Sequence, residues 1–336
     1  MKAAVFREPG KPLAIESLPD PRAEPGRLVL RVGGCGICGS DLHMSELELA
    51  KGMVMGHEFA GEIAEVGRGA GDWKVGERVC ALPLIGCGAC DHCRAGAPQF
   101  CAKLEGIGLG AHSGAYAEYV VADARETFRL PDNLATHEGA LVEPLAVGLH
   151  TVHMARIRPG DDVLILGAGP VGLATALWAR HAGAREIVVS DFVAQRRDLV
   201  ARLGATATLD PAAGEVMPAF ERHAGRPPDA IIECIGVPGL IQSVFEMAPV
   251  HCRVVIAGVC MKPDQIVPVS AMMKELSVQF VAYYRRTDFA YTLDMLRAGR
   301  IQPRPMITDV IGLAELPAAF EALRRPSTQC KVIVRP

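Results

Sequence analysis

No stretch of this sequence approaches the ~20 consecutive apolar residues that a bilayer-spanning helix needs. There is no surplus of positive charge either. Lys and Arg number 35 against 38 Asp and Glu, a formal net charge of -3, which leaves no basic footprint for nucleic acid. The N-terminal MKAAVFREPGKP breaks with Pro and charge before any apolar run of signal-peptide length. Internal repeats and low-complexity tracts are absent. A soluble, cytoplasmic protein without nucleic-acid or membrane partners is the expectation.

What is present is a packed globular composition. Half of the 336 residues are hydrophobic and 22% are charged. The length suggests about two domains. Eleven cysteines, in a chain with no expected leader, point to metal or redox chemistry more than to disulfides. Four of them, Cys87, Cys90, Cys93 and Cys101, crowd into one short stretch.

Through about residue 145 the chain reads as short strands between Gly and Pro turns: RLVLRV (27–32), GEIAEV (61–66), ERVCAL (77–82) and AEYVVA (117–122). That texture suggests a β-barrel-like domain. From Asp161 it changes. DVLILG (162–167) is a continuous apolar run, as a buried strand should be. PVGLATALWARHAG follows with helical length and Gly183 as its C-cap. EIVVSD (186–191), the helix-like AQRRDLVARLG, AIIECIG (230–236), the helix-like GLIQSVFEMA and RVVIAGV (253–259) continue the alternation. Strands alternating with helices mean βαβ units and a doubly wound parallel sheet. A helix-like TDFAYTLDMLRAG then leads to a closing strand, KVIVR (331–335), placed to return to the first domain. The expected boundaries are 1–145, 146–284 and 285–336.

Gly167-Ala168-Gly169-Pro170-Val171-Gly172 matches G-x-G-x-x-G between a strand and a helix, the context dinucleotide binding requires. Gly167 permits the tight turn, Gly169 lets backbone approach a pyrophosphate, and Gly172 lets helix and strand pack closely. Asp191, about 20 residues on, is placed to take ribose hydroxyls, and its charge favours NAD over NADP. Arg196 and Arg197 lie nearby and weaken that preference; Arg196 is expected against adenine or ribose. The competing reading is a strand–helix turn that binds nothing.

Cys87-x2-Cys90-x2-Cys93-x7-Cys101 supplies the four thiolates of a closed, structural zinc site in a lobe at about 86–102. An iron–sulfur cluster is the rival, but the last gap does not fit it and no Pro follows Cys101. His92 is redundant with four thiols and reads as a surface residue. CGICGSDLH (35–43), GHEFAG (56–61) and LVEPLAVGLH (141–150) carry Cys38, His57, Glu58 and Glu143. Thiolate, imidazole and carboxylate together suit a zinc with an open coordination position. Taken one at a time, Ser40 and Asp41 also read as helix-cap residues and His43 as an exposed helix residue.

With these motifs in this order, the chain resembles the zinc-containing medium-chain dehydrogenases over essentially its whole length. Those proteins pair a GroES-like β-barrel catalytic domain with a Rossmann-like coenzyme domain. The resemblance is strongest for the branch with sorbitol, butanediol and threonine dehydrogenases, in which VEP supplies a glutamate where other members use a second cysteine. The resemblance implies an α/β fold, an NAD cofactor and two zinc ions. Cys38, His57 and Glu58 would be catalytic ligands, Glu143 would bind directly or through water, and Glu58 and Glu143 would exchange on the metal. Asp41 would orient His57. Cys35 matches no ligand position. The implied reaction is hydride transfer between an alcohol carbon and NAD across a cleft between the domains, with Ser40 passing the hydroxyl proton on and His43 relaying it to solvent. A small alcohol or ketone is the implied partner, and a homodimer or homotetramer the implied assembly, built on strands such as RVVIAGV and SVQFVAYY.

Two departures concern the substrate. The stretch from Met44 to Met55 is short and mostly apolar, which hints at a substrate less polar than a sugar alcohol, and HSGAYAEY has Ala115 where a second glycine is usual. A zinc-free NADPH enone or quinone reductase, or a nucleotide-binding protein without chemistry, are the alternatives. The ligand residues and Asp191 argue against the first, and the joint presence of Cys38, Ser40, His57 and Glu143 against the second.

Overall fold

The computed structural model describes residues 1–47, 51–325 and 328–336. The chain divides into two compact units, one of Met1–Glu143, Tyr284–Arg300 and Ile307–Pro336, the other of Pro144–Tyr283 and Ile301–Met306. No described helix is long and apolar enough to cross a membrane.

In the second unit the strand Asp162–Leu166 is buried at every position, as an apolar run flanked on both faces must be. It pairs in parallel with Glu186–Ser190 on one side and Ala230–Glu233 on the other. Ala207–Leu209 extends the first side; Arg253–Ile256 and Ser277–Phe280 extend the second. Numbered along the chain, the six strands lie in the order 3-2-1-4-5-6, a doubly wound Rossmann-like sheet. The helices Pro170–His181, Ala194–Leu203, Val216–Ala224 and Leu240–Met247 connect successive strands. Of SVQFVAYY, only Ser277–Phe280 forms strand. Helix Pro170–His181 ends at Ala182, and Gly183, at φ +87°, takes the left-handed position just beyond it.

At the sheet's N-terminal edge, a buried Asp162 carboxylate accepts hydrogen bonds from Arg185 and Arg226. The Asp162 N–H donates to Asp229 at 2.8 Å, and Arg253 pairs with Asp161 at 2.7 Å. Paired charges thus fasten the starts of four strands, where a lone buried carboxylate would be costly.

In the first unit Arg27–Gly36 is the central strand. It pairs antiparallel with Glu58–Val66, Tyr119–Asp123 and Lys331–Arg335. Arg78–Ala81 and Thr127–Arg129 continue one side, and Ile307–Gly312 joins Lys331–Arg335 in parallel. The C-terminal strand therefore lies beside a strand nearly three hundred residues earlier. Leu28, Leu30, Phe59, Ile63, Tyr116, Phe320 and Val332 belong to its core. The expected strand 61–66 starts three residues earlier, at Glu58, because Glu58, Phe59 and Ala60 pair with Gly36, Cys35 and Gly34.

Candidate functional site

The helix Gly39–Met44 follows directly from the central strand, and its N-cap is Cys38. This corrects the cap assignment of Ser40 and Asp41: the Asp41 carboxylate accepts the Cys38 N–H at 3.2 Å from inside the first turn. Asp41 is completely buried and also accepts from the Tyr116 hydroxyl at 2.6 Å. Its other oxygen lies 3.1 Å from His57 Nδ1. Burial would raise the Asp41 pKa, but the charge and hydrogen bond of His57 and the donors on Tyr116 and Cys38 hold it below its ordinary value. A carboxylate on Nδ1 fixes the ring and leaves Nε2 as the free donor atom for a metal.

His57 Nε2 faces Ser40 Oγ at 3.4 Å, and that hydroxyl donates to Cys38 Sγ at 3.1 Å. One ligand atom each from Cys38, His57 and Glu58 lies within 4.8 Å of the others. Sequence-distant segments are brought together because Glu58 opens the strand opposite Gly36. A Cβ on Gly36 would come 2.1 Å from Glu58 Oε2, so only glycine leaves room for the carboxylate.

Glu143 is not a member of that three-residue cluster. It is buried in the first turn of the helix Val142–Met154. Its pKa is raised to about 7, chiefly by burial, with the His57 charge lowering it and the Glu58 charge raising it. His43 is exposed on its helix, and among the described residues no hydrogen bond joins it to Ser40. Part of the apolar Met44–Met55 stretch, Glu48 to Ala50, lies outside the described residues.

Two residues escaped the sequence reading. Lys331, fully buried, places Nζ 2.7 and 2.6 Å from the two Glu58 oxygens and donates to the Ile37 carbonyl at 3.0 Å. Burial would lower its pKa, but Glu58 and Cys38 raise it above the ordinary lysine value. Tyr284 is buried near Glu143; burial first, then the Glu143 charge, raises its pKa well above that of an ordinary phenol. Nothing local marks either residue. Each acts through a partner more than a hundred positions away.

The donor set fits a zinc ion. A thiol, an imidazole with its second nitrogen held by a carboxylate, and two nearby carboxylates against one lysine leave an excess of anionic groups around one point. The second cluster fits one as well. The sulfurs of Cys87, Cys90, Cys93 and Cys101 lie within 4.8 Å of one another, and tetrahedral Zn–S bonds of ~2.3 Å put sulfurs about 3.8 Å apart. Main-chain N–H groups already point at them: Ala89 and Cys90 at Cys87, and Cys87 and Lys103 at Cys101, at 3.3–3.5 Å. Those donors hold the Cys87 pKa down at about 6. His92 is exposed and sits edge-on to Phe100.

The glycine turn fits a dinucleotide. Gly167 has φ +95°, and a Cβ on Gly172 would lie 1.9 Å from the Gly167 carbonyl. A Cβ on Gly169 would meet nothing within 4 Å, so that face of the turn is open. Gly169 caps the helix that begins Pro170-Val171, with its orphan N–H groups available to an anion. Asp191 is partly engaged already, accepting the N–H groups of Ala168 and Val193 at 2.8 Å each; a carboxylate keeps further acceptor sites. Arg196 is half-buried on its helix. Arg197 is committed elsewhere, donating to the carbonyls of Asp191 and Phe192 and pairing with Asp210.

These features define a zinc-binding dehydrogenase. Residues 24–132 match the alcohol dehydrogenase GroES-like domain, and 170–298 match the zinc-binding dehydrogenase domain. The chain belongs to the zinc-containing medium-chain alcohol dehydrogenase family. It is 32% identical to the (R,R)-butanediol dehydrogenase of Bacillus subtilis (strain 168), over 100% of both chains. It is 29% identical to that organism's sorbitol dehydrogenase, over 100% of this chain and 97% of the other. A crystal structure of a Sinorhizobium meliloti 1021 protein bound to NADP superposes with a TM-score of 0.89 at 34% identity, covering 100% and 99%.

Proposed function

We propose that this chain transfers a hydride between a secondary alcohol, diol or polyol carbon and NAD, giving the ketone or aldehyde. The cluster of Cys38, His57 and Glu58 carries the reading. These three residues would hold a catalytic zinc, with Glu143 reaching it directly or through water, and Cys87, Cys90, Cys93 and Cys101 would hold a structural zinc. When bound, the zinc supplies a Lewis acid that acidifies a hydroxyl, and the nicotinamide supplies the hydride acceptor.

The chain's own residues do the rest. Asp41 keeps the His57 proton on Nδ1. Ser40 stands beside Cys38 and His57, where a substrate hydroxyl proton can pass to its Oγ; onward transfer to the exposed His43 needs a bridging water. Tyr284 is buried, and burial together with the Glu143 charge raises its pKa well above that of an ordinary phenol. Met1–Glu143, Tyr284–Arg300 and Ile307–Pro336 would carry the chemistry, and Pro144–Tyr283 with Ile301–Met306 the coenzyme. Asp191 disfavours a 2′-phosphate, and Arg197 is occupied, so NAD is the proposed coenzyme, although the Sinorhizobium meliloti neighbour holds NADP. Eleven cysteines, none in a disulfide, suit a reducing cytoplasm. The outer edge of Ser277–Phe280, which pairs with no further described strand, suits a homodimer or homotetramer.

The test combines metal analysis with a coenzyme-linked panel of secondary alcohols, diols, polyols and threonine. About two zinc ions per chain and NAD-linked oxidation are expected. Cys38→Ser and His57→Ala should each lose one zinc and turnover while remaining folded. Wild-type turnover in either variant sinks the catalytic-zinc assignment.

A further inference from the structure

Glu233 closes the strand Ala230–Glu233 and is 1% exposed. Leu166 is its register partner, on the side of the central strand away from Glu186–Ser190. This is the point where the strand order reverses, the place where open parallel sheets bind ligands beyond their carboxyl ends. A buried carboxylate must be met by donors, and here the donors are main chain. Its Oε1 accepts the N–H groups of Ile235 and of Gly236, the latter at 2.7 Å. The Glu233 carbonyl accepts those of Ala257 at 2.8 Å and Gly258 at 3.0 Å.

Two glycines make the clasp possible. A Cβ on Gly258 would lie 2.5 Å from Glu233 Oε2, and one on Gly236, at φ +76°, would lie 2.6 Å from the Val259 main chain. The clasped loop also abuts the glycine turn: a Cβ on Gly167 would lie 2.7 Å from Ile235 Cγ1. On the other side of that turn Asp191 makes the matching bond, to the Ala168 N–H. Two carboxylates therefore bracket the glycine turn, one on each half of the sheet.

We propose that Glu233 is a positioning residue for the nicotinamide half of the coenzyme: it fixes the loops 234–237 and 257–259, which follow the fourth and fifth strands, without touching the adenosine half. The proposal rests on the reading that this sheet binds a dinucleotide. Doubly wound sheets consist of two mononucleotide-binding halves, and Asp191 belongs to the first while Glu233 belongs to the second.

The experiment titrates the zinc-loaded full chain with NADH and, separately, with AMP, by calorimetry. Glu233→Gln removes the charge and keeps the size; Glu233→Asp keeps the charge and draws the carboxylate back from the Ile235 and Gly236 N–H groups. Each should weaken NADH by about tenfold or more, the loss of one charge-assisted hydrogen bond. AMP affinity and zinc content should stay at wild-type values. Equal weakening of NADH and AMP reduces Glu233 to a general structural role and overturns the proposal, as does unchanged NADH affinity in both variants. Failure of the wild-type chain to bind either ligand overturns the dinucleotide reading beneath it.

Discussion

A fully buried lysine is a liability unless its charge is met. Lys331 meets the buried carboxylate of Glu58 through both oxygens. Removing one partner strands the other. Lys331→Met should cost about 3–5 kcal/mol in urea unfolding of the chain stripped of metal at this site, because Glu58 then stays buried with neither ammonium nor metal ion. Combining it with Glu58→Gln should recover most of that loss, since replacing both members of such a pair is far cheaper than removing one. A single-variant loss below about 1 kcal/mol would mean that the carboxylate finds another partner. Reading such residues from sequence has a clear limit. Cys38 and His57 announce themselves by local company, a cysteine before a helix start and a histidine beside a glutamate. Lys331 is 273 positions from Glu58, at the start of a strand whose next three residues are Val332, Ile333 and Val334, and its neighbours give no hint that it faces a metal-binding candidate.

Among the elements, the four-cysteine lobe depends on a brace outside itself. The Arg125 guanidinium donates to the Gly86 carbonyl at 3.0 Å and to Asp123, which Arg27 also holds from the central strand. Burial alone would raise the Asp123 pKa, but the hydrogen bonds from the Arg125 side chain and main chain, with the charges of Arg125 and Arg27, hold it below the ordinary carboxylate value. A carboxyl whose folded pKa is depressed stabilises the fold above its unfolded pKa of ~3.9 and loses that contribution as pH falls through the folded value. The unfolding free-energy gap between wild type and Asp123→Asn should therefore be flat from pH 7 to about 5 and close below ~3.9. A gap that persists unchanged in stronger acid would show that packing, not charge, makes the difference.

The lobe itself should respond to metal. Cys90→Ser is expected to lose one zinc and to raise hydrogen exchange across residues 87–101, with the barrel strands still protected, because few apolar side chains hold that loop. The clustering of its four sulfurs was legible, since four cysteines on one loop need no tertiary information. The parallel sheet was legible too, from apolar runs alternating with helical lengths. The helix Val142–Met154 was not anticipated, because Pro144 reads as a breaker; it sits in the first turn, where a missing N–H costs nothing.

For the whole molecule, the sheet of the second unit ends on an open strand. Ser277–Phe280 pairs only with Arg253–Ile256, and its other edge leaves N–H and carbonyl groups unpaired by any described strand. Phe280 is 59% exposed, and Met272 at the end of the preceding helix and Met273 just past it are 66% and 73% exposed. An apolar open edge is an association site by default. A second copy related by a two-fold axis would cover it with the same strand running the other way and would leave no free edge for a third. Phe280→Lys places a charge on that edge and should convert a dimer into monomers, or a tetramer into smaller species, at micromolar concentration in light scattering, with zinc content retained. Unchanged mass in this variant would move the interface elsewhere, and a monomeric wild type would leave the open edge to be explained by something other than self-association.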